Sequence, residues 1–140
     1  MSILIEIDEE TQIKQNPKNR TFIKRTFSNG DVYKGIINND LPNGIGTMFF
    51  VNKTKYEGEF KDGRPDGEGE FVWPDGGRYV GEFKDGVPDG NGVLDYSHGV
   101  VYEGQWRYGI QHGRGIMKYP DGREVKGIWK DGVFIKKIYD

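Results

Sequence analysis

The chain has 140 residues, about one domain in length, with a net charge of −2, 34% hydrophobic and 14% aromatic residues, and 22 glycines. It has no cysteine, which excludes disulfides, thiolate catalysis and cysteine metal sites. The charge is uneven: residues 56–101 carry 11 acidic and 4 basic side chains (net −7), and residues 102–140 carry 5 acidic and 8 basic ones (net +3). This asymmetry argues against a uniform basic face for nucleic acid and favours a protein partner.

Residues 1–20 form an N-terminal extension outside the pattern that follows. Ile3, Ile5 and Ile7 alternate with their neighbours, which predicts a short strand. Residues 9–20 are polar and contain Pro17, which predicts a linker. The extension is expected to pack on the rest of the protein or on a partner. It has neither a basic segment nor a long apolar run, so we expect no secretory signal and a cytoplasmic location.

A repeat of 23 residues organises residues 21–140. The sequence YEGEFKDGRPDGEGEFVWPDGGR (56–78) is followed in frame by YVGEFKDGVPDGNGVLDYSHGVV (79–101). Full units begin at Tyr33, Tyr56, Tyr79 and Tyr102. A half unit over 21–32 precedes them, and a half unit over 125–135 and a terminal strand follow. The array holds about five units, more than the three or so that a repeat array needs for stability.

Each unit is predicted to contain two strands. In the unit at Tyr56, residues 56–61 and 67–73 read as strands, and residues 62–66 and 74–77 as turns. Asp-Gly pairs supply the positive φ angles of tight hairpin turns, and proline presets a turn entry. The sequence therefore predicts an all-β protein with a single antiparallel sheet, a meander of hairpins. The simplest register puts all the aromatic rings on one face of this sheet.

The unit resembles the MORN repeat, which begins Tyr-x-Gly and carries a Gly-x-Gly pair about eleven residues on. Tyr56-Glu57-Gly58, Gly67-Glu68-Gly69 and Pro74-Asp75-Gly76 carry this resemblance, which covers roughly residues 21–135. The end units depart from the pattern, with Ile37 in place of a ring and Val125 in place of the leading tyrosine. The resemblance implies an elongated, twisted sheet and a scaffold role in cytoskeletal or ciliary assemblies. It also implies an aromatic groove that grips a helix or an extended peptide.

The aromatic stripe is the main candidate site, because a single sheet must bury its apolar face against something. The rings are interpreted either as the core of the protein or as a groove for a partner. The predicted partner-binding groove comprises Tyr56, Phe60, Trp73, Tyr79, Phe83, Tyr96, Tyr102, Trp106, Tyr119 and Trp129. The functional hypothesis is a non-enzymatic protein-binding scaffold that acts within a larger complex and needs no cofactor.

A calcium site and a catalytic site are both less consistent with the sequence than structural roles for the same residues. Pairs of carboxylates such as Asp62 and Asp66 suggest calcium, but their spacing is not that of an EF-hand, and a role in the turns explains them. His98 and His112 occupy positions where other units have Asn or Asp, so a turn role is favoured for both. No nucleophile–base pair is visible, and neither a metal site nor an enzyme is predicted.

The basic C-terminal end supports an alternative function. Lys126, Lys130, Lys136 and Lys137 could contact anionic phospholipid, each adding about 1 kcal/mol near such a surface. The protein would then be a peripheral membrane adaptor. The simpler interpretation is a solvated basic end, in which Lys136 and Lys137 also discourage strand pairing at an open sheet edge.

Overall fold

The computed structural model describes residues 6–7, 14–15 and 21–139. They form one antiparallel sheet in which strands neighbouring in the chain from β3 onwards also pair in space, while β1 and β2 both pair with β3. None of the described residues forms a helix long and apolar enough to cross a membrane. The strands are β1 (Glu6–Ile7), β2 (Lys14–Gln15), β3 (Thr21–Thr26), β4 (Val32–Asn38), β5 (Leu41–Phe49), β6 (Lys55–Lys61), β7 (Arg64–Val72), β8 (Arg78–Lys84), β9 (Val87–Asp95), β10 (Val101–Arg107), β11 (Ile110–Lys118), β12 (Glu124–Lys130) and β13 (Val133–Lys137).

The predicted all-β meander with a 23-residue repeat is confirmed, but its short turns are tighter than predicted. The hairpin between β6 and β7 turns on Asp62 and Gly63 alone, whose φ angles are 48° and 87°. Two consecutive positive φ angles match the right-handed twist of the flanking strands, so pairing resumes at once. Arg64, Pro65 and Asp66 therefore lie in β7 and not in a turn.

The N-terminal extension contributes two short strands. Ile7 lies in β1, where a strand was predicted, while the predicted strand positions Ile3 and Ile5 lie outside the described residues. Lys14 and Gln15 fall in the segment predicted to be a linker, yet their backbones pair with β3. Together β1 and β2 pair with four of the six residues of β3.

A row of glycines crosses nine strands in register. Tyrosine rings lie over this row: a Cβ added to Gly69 would come within 2.2 Å of the Tyr56 hydroxyl oxygen. Only a residue without a side chain allows that ring to lie flat on the backbone. The members, each paired with the next, are Gly35, Gly46, Gly58, Gly69, Gly81, Gly92, Gly104, Gly115 and Gly127.

The sheet bends along this row and encloses its own aromatic rings. Side chains four residues apart on a straight strand start about 13 Å apart. The ring centroids of Tyr56 and Phe60 are nevertheless only 5.0 Å apart. The two halves of each strand therefore lean together over the rings, and Tyr56 is completely buried. The sheet thus supplies much of the cover that a second layer would otherwise provide.

A three-residue bulge occurs opposite Glu59, and it explains the Gly-x-Gly motif. Gly58 pairs with Gly69 and Phe60 pairs with Pro65, so three residues of β7 face Glu59 alone. Gly67, within the bulge, has a φ of 102°. The backbone N–H of Glu68 donates to the Glu59 carboxylate at 2.6 Å, and the Tyr56 hydroxyl donates to the Glu59 carbonyl at 2.8 Å. The bulge therefore needs a glycine, an acceptor side chain and a tyrosine at fixed offsets.

Each bulge also holds the short turn of the following unit. The Asp66 carboxylate accepts a hydrogen bond from the backbone N–H of Asp85, 19 residues further on, at 3.1 Å. The N–H of Gly86 donates to the Pro65 carbonyl at 2.8 Å. Successive hairpins are thus linked by hydrogen bonds in addition to those between paired strands. The side chains that accept in this way are Asn43, Asp66, Asp89 and His112.

Candidate interaction surface

Seven of the ten rings predicted to form the groove belong to the core. They contact one another edge to face in an unbroken ladder that begins at Tyr33 and ends at Phe134, with centroids 5.0–5.3 Å apart. Each is at most 8% exposed, so in this conformation their main contribution is to stability. The seven are Tyr56, Phe60, Tyr79, Phe83, Tyr102, Trp106 and Trp129.

The remaining three rings are accessible. Trp73 is 36% exposed, Tyr96 is 40% exposed, and Tyr119 is partly buried. All three follow a long strand of the repeat at the start of a long turn. They belong to a set spaced by 23 residues that we call the outer aromatic row: Phe27, Phe50, Trp73, Tyr96 and Tyr119. Phe27 is only 3% exposed and Phe50 is partly buried, so the most accessible rings of the outer aromatic row are Trp73 and Tyr96.

The long turn holds Trp73 in a defined position. The backbone N–H of Trp73 donates to the Gly77 carbonyl, and the backbone N–H of Gly76 donates to the Trp73 carbonyl, both at 2.9 Å. The Asp75 carboxylate accepts from the Gly77 N–H at 2.8 Å, which closes the turn. The indole stacks on Phe71 with centroids 5.8 Å apart and planes 11° apart. One side of the indole is thus packed while more than a third of its surface faces solvent.

Tyr96 and Tyr119 are held by polar neighbours. The Tyr96 hydroxyl oxygen accepts a hydrogen bond from the Gln111 side-chain amide at 2.9 Å. Burial raises the pKa of Tyr96 above its ordinary value, and this hydrogen bond opposes the rise. The Arg123 guanidinium lies 4.3 Å from the centroid of the Tyr119 ring, an attractive cation–π geometry.

The charge is uneven along the outer aromatic row. Asp75 is exposed beside Trp73, and no described basic group lies within ion-pair distance of it. At the other end, Arg123 covers Tyr119 and lies 3.9 Å from the Asp121 carboxylate. The Trp73 end is therefore the more negative end of the row.

The acidic residues of the bulges have structural roles. The Asp66 and Asp89 carboxylates both accept backbone N–H groups of the following turn. His112 Nδ1 accepts from the Asp131 N–H at 3.4 Å, and His98 is exposed in a long turn. Among the described residues, no three His, Cys, Asp or Glu side chains are grouped so as to hold a metal ion.

The basic residues of the C-terminal end lie on the last two strands. Lys126 and Lys130 belong to β12, and Lys136 and Lys137 to β13, the edge strand of the sheet. All four are exposed. Every residue of β13 is exposed, so this edge presents a basic surface beside the apolar side chains of Val133, Phe134 and Ile135.

Sequence reasoning did not distinguish the core rings from the accessible ones. Position at the end of a strand was only a partial signal. Trp73 and Tyr96 occupy that position and are exposed, but Phe27 occupies it too and is buried. The acceptor roles of Glu59, Glu82 and Gln105 were also missed, since they depend on a bulge that strand periodicity does not reveal.

The fold and its register define an open-sheet β-repeat array whose units share one bulge, one tyrosine–glycine contact and one inter-unit hydrogen bond. The family model of the MORN repeat matches residues 33–55, 56–78, 79–100 and 102–122, more than half of the chain. The chain therefore belongs to the MORN-repeat family, a non-catalytic type of repeat. A comparison with curated proteins finds no significant match.

Proposed function

We propose that this protein is a non-enzymatic interaction scaffold that holds a helix or an extended peptide of a partner protein along its aromatic face. The observation that carries the proposal is the outer aromatic row. Trp73 and Tyr96 are large, are held by a ring stack or a hydrogen bond, and are more than a third exposed, although the ring ladder from Tyr33 to Phe134 already packs in the core. Tryptophan and tyrosine combine an apolar body with a polar tip, and they are frequent anchors of protein interfaces.

The setting of this scaffold is proposed from the family resemblance. MORN-repeat proteins commonly serve in cytoskeletal and ciliary assemblies, so we place the protein in the cytoplasm as a subunit of such a complex. Its rigid, inter-bonded hairpins suit this role, because a surface that is already ordered loses little conformational entropy on binding.

Site-specific photo-crosslinking tests the proposal. A photoreactive amino acid in place of Tyr96 is expected to crosslink a partner in extracts of the source cells. The same replacement at Tyr108, which is 74% exposed in a short turn, is the control. Partner capture at Tyr96 alone, competed by unlabelled protein but not by its Trp73→Ala variant, supports the scaffold. Equal crosslinking from both positions, or none, contradicts it.

A second candidate function is a peripheral membrane adaptor. It is favoured by the exposed lysines Lys130, Lys136 and Lys137 on β12 and β13. Liposome flotation with and without anionic lipid in moderate salt tests it, because each lysine near such a surface contributes about 1 kcal/mol. Binding to anionic vesicles that persists in salt and is lost in the Lys136→Glu/Lys137→Glu variant would favour the adaptor over the scaffold.

A further inference from the structure

We propose that the outer aromatic row binds a proline-rich segment in the polyproline II conformation, with a proline at every third residue and its basic flank at the Trp73 end. The inference rests on the proposed function, because it names the class of partner for the same surface. Three observations carry it: the spacing of the accessible rings, the chemistry of those rings, and the charge around them.

The spacing of the rings matches the pitch of polyproline II. Equivalent residues of consecutive units lie two strands apart, or about 9.6 Å at about 4.8 Å between strands. Polyproline II advances about 9.3 Å in its three-residue turn, whereas seven residues of α-helix advance about 10.5 Å. From Trp73 to Tyr119 the row spans two steps. Over that span the accumulated mismatch is about 0.6 Å for polyproline II and about 1.8 Å for the helix.

The accessible rings offer what a proline-rich segment requires. Polyproline II has no internal hydrogen bonds, so its carbonyls need external donors. The indole N–H of Trp73 makes no hydrogen bond with the described part of the chain. The Tyr96 hydroxyl oxygen already accepts from Gln111 and keeps its own O–H free to donate. Aromatic grooves of this composition are a recurring mode of proline-rich recognition.

The charge around the row fixes the orientation. Asp75, beside Trp73, is exposed and has no described basic group within ion-pair distance, since Arg78 pairs with Glu70, so it can attract an arginine or lysine that flanks the prolines. At the opposite end, Arg123 lies beside the Tyr119 ring and pairs with Asp121 at 3.9 Å, so Asp121 is less available to a basic flank than Asp75 is. Towards the N-terminus the row is less open, because Phe27 is 3% exposed and Phe50 is partly buried and stacks on Phe71 with centroids 6.1 Å apart. We therefore place the segment on the three rings from Trp73 to Tyr119.

The test uses the full chain and a synthetic peptide of two arginines followed by nine prolines. Tryptophan fluorescence and isothermal titration calorimetry measure its dissociation constant. A peptide with the same arginines and a glycine–serine tail is the control ligand. We expect the proline peptide to bind, and Trp73→Ala and Tyr96→Ala each to raise the dissociation constant at least about tenfold, a loss of about 1.4 kcal/mol. Tyr108→Ala, at a ring outside the row, is expected to leave the constant unchanged.

Further variants separate the contribution of charge from that of the rings, and they allow a conclusion even if one variant does not fold. Asp75→Asn is expected to weaken binding of the arginine-bearing peptide but not of nine prolines alone. If Trp73→Ala does not fold, Tyr96→Ala decides, because Tyr96 stacks on no other ring among the described residues. Equal binding of the glycine–serine peptide, or no binding of the proline peptide, overturns the inference. Crosslinking from Tyr96 to a partner that contains no proline-rich segment would overturn it too, while leaving the scaffold in place.

Discussion

The contact between Gly69 and Tyr56 leaves no room for a larger side chain at residue 69. A Cβ at Gly69 would lie 2.2 Å from the Tyr56 hydroxyl oxygen and 2.5 Å from two carbons of its ring. Tyr56 cannot move aside, because it is fully buried, lies edge to face against two phenylalanines and donates to the Glu59 carbonyl at 2.8 Å. Gly69→Ala must therefore displace the ring or separate the strands.

The cost follows from the contacts that are lost. Overpacking a well-packed core costs about 1–3 kcal/mol. Losing the tyrosine hydrogen bond and leaving the Glu59 carbonyl unpaired adds about 1–2 kcal/mol. We expect Gly69→Ala to lower the free energy of unfolding by about 2–5 kcal/mol, a large part of the ~5–15 kcal/mol available to a domain.

Urea unfolding followed by tryptophan fluorescence and circular dichroism measures this change. Gly122→Ala is the matched control: its φ is 90°, but nothing lies within 4 Å of the added Cβ, so only backbone strain of about 1–2 kcal/mol is expected. A double-mutant cycle with Tyr56→Ala should show strong non-additivity, because removal of the ring removes the clash. A Gly69→Ala variant no less stable than Gly122→Ala, or an additive cycle, would refute the reasoning.

Three further predictions address the tyrosines and the bulge. Burial raises the pKa of Tyr102 to about 12 from its ordinary 10.0. The folded state thus holds this proton more tightly, and the associated stability is intact below about pH 10 and is lost as the pH rises through about 12. Absorbance at 295 nm during alkaline titration should show buried phenols ionising only with loss of the β-sheet circular dichroism signal; early ionisation of all eight tyrosines would contradict this. Glu82→Gln should change the unfolding free energy by less than about 0.5 kcal/mol, because Gln105 does the same task one unit later, while Glu82→Ala should cost about 1–2 kcal/mol. Asp66→Ala should cost about 0.5–1.5 kcal/mol in urea unfolding and Asp66→Asn almost nothing, since Asn43 makes the equivalent bond; equal losses would contradict the bonding scheme.

The sequence was sufficient to predict the all-β meander of hairpins and its 23-residue repeat. Strict recurrence at 23 residues leaves one antiparallel register in which every Tyr-x-Gly matches the next unit. Asp-Gly pairs such as Asp62-Gly63 marked the hairpins correctly, because few other residues accept two positive φ angles. Local chemistry repeated many times determines the architecture of such an array.

The features that the sequence did not predict depend on strand bends and bulges, which do not follow from the two-residue period of a strand. The bend of each strand at Gly58 and its equivalents decides that Phe60 is buried, and alternation along a strand contains no information about curvature. The bulge at Gly67 places three residues of one strand opposite a single residue of the neighbouring strand, which strand periodicity does not reveal. For the same reason the exposure of Trp73 could be read only from the folded chain.

The hydrogen bonds that link one hairpin to the next give the array a direction. In each, a side chain of one unit accepts a hydrogen bond from a backbone N–H 19 residues later in the chain, as Asp66 does from Asp85. A unit removed from the C-terminal side would take its own turn with it and leave the preceding units fully anchored. Removal from the N-terminal side would instead leave the next turn without its anchor. Shortening or extending such an array should therefore be less costly at the end where β13 lies, an asymmetry that the near-identical units conceal.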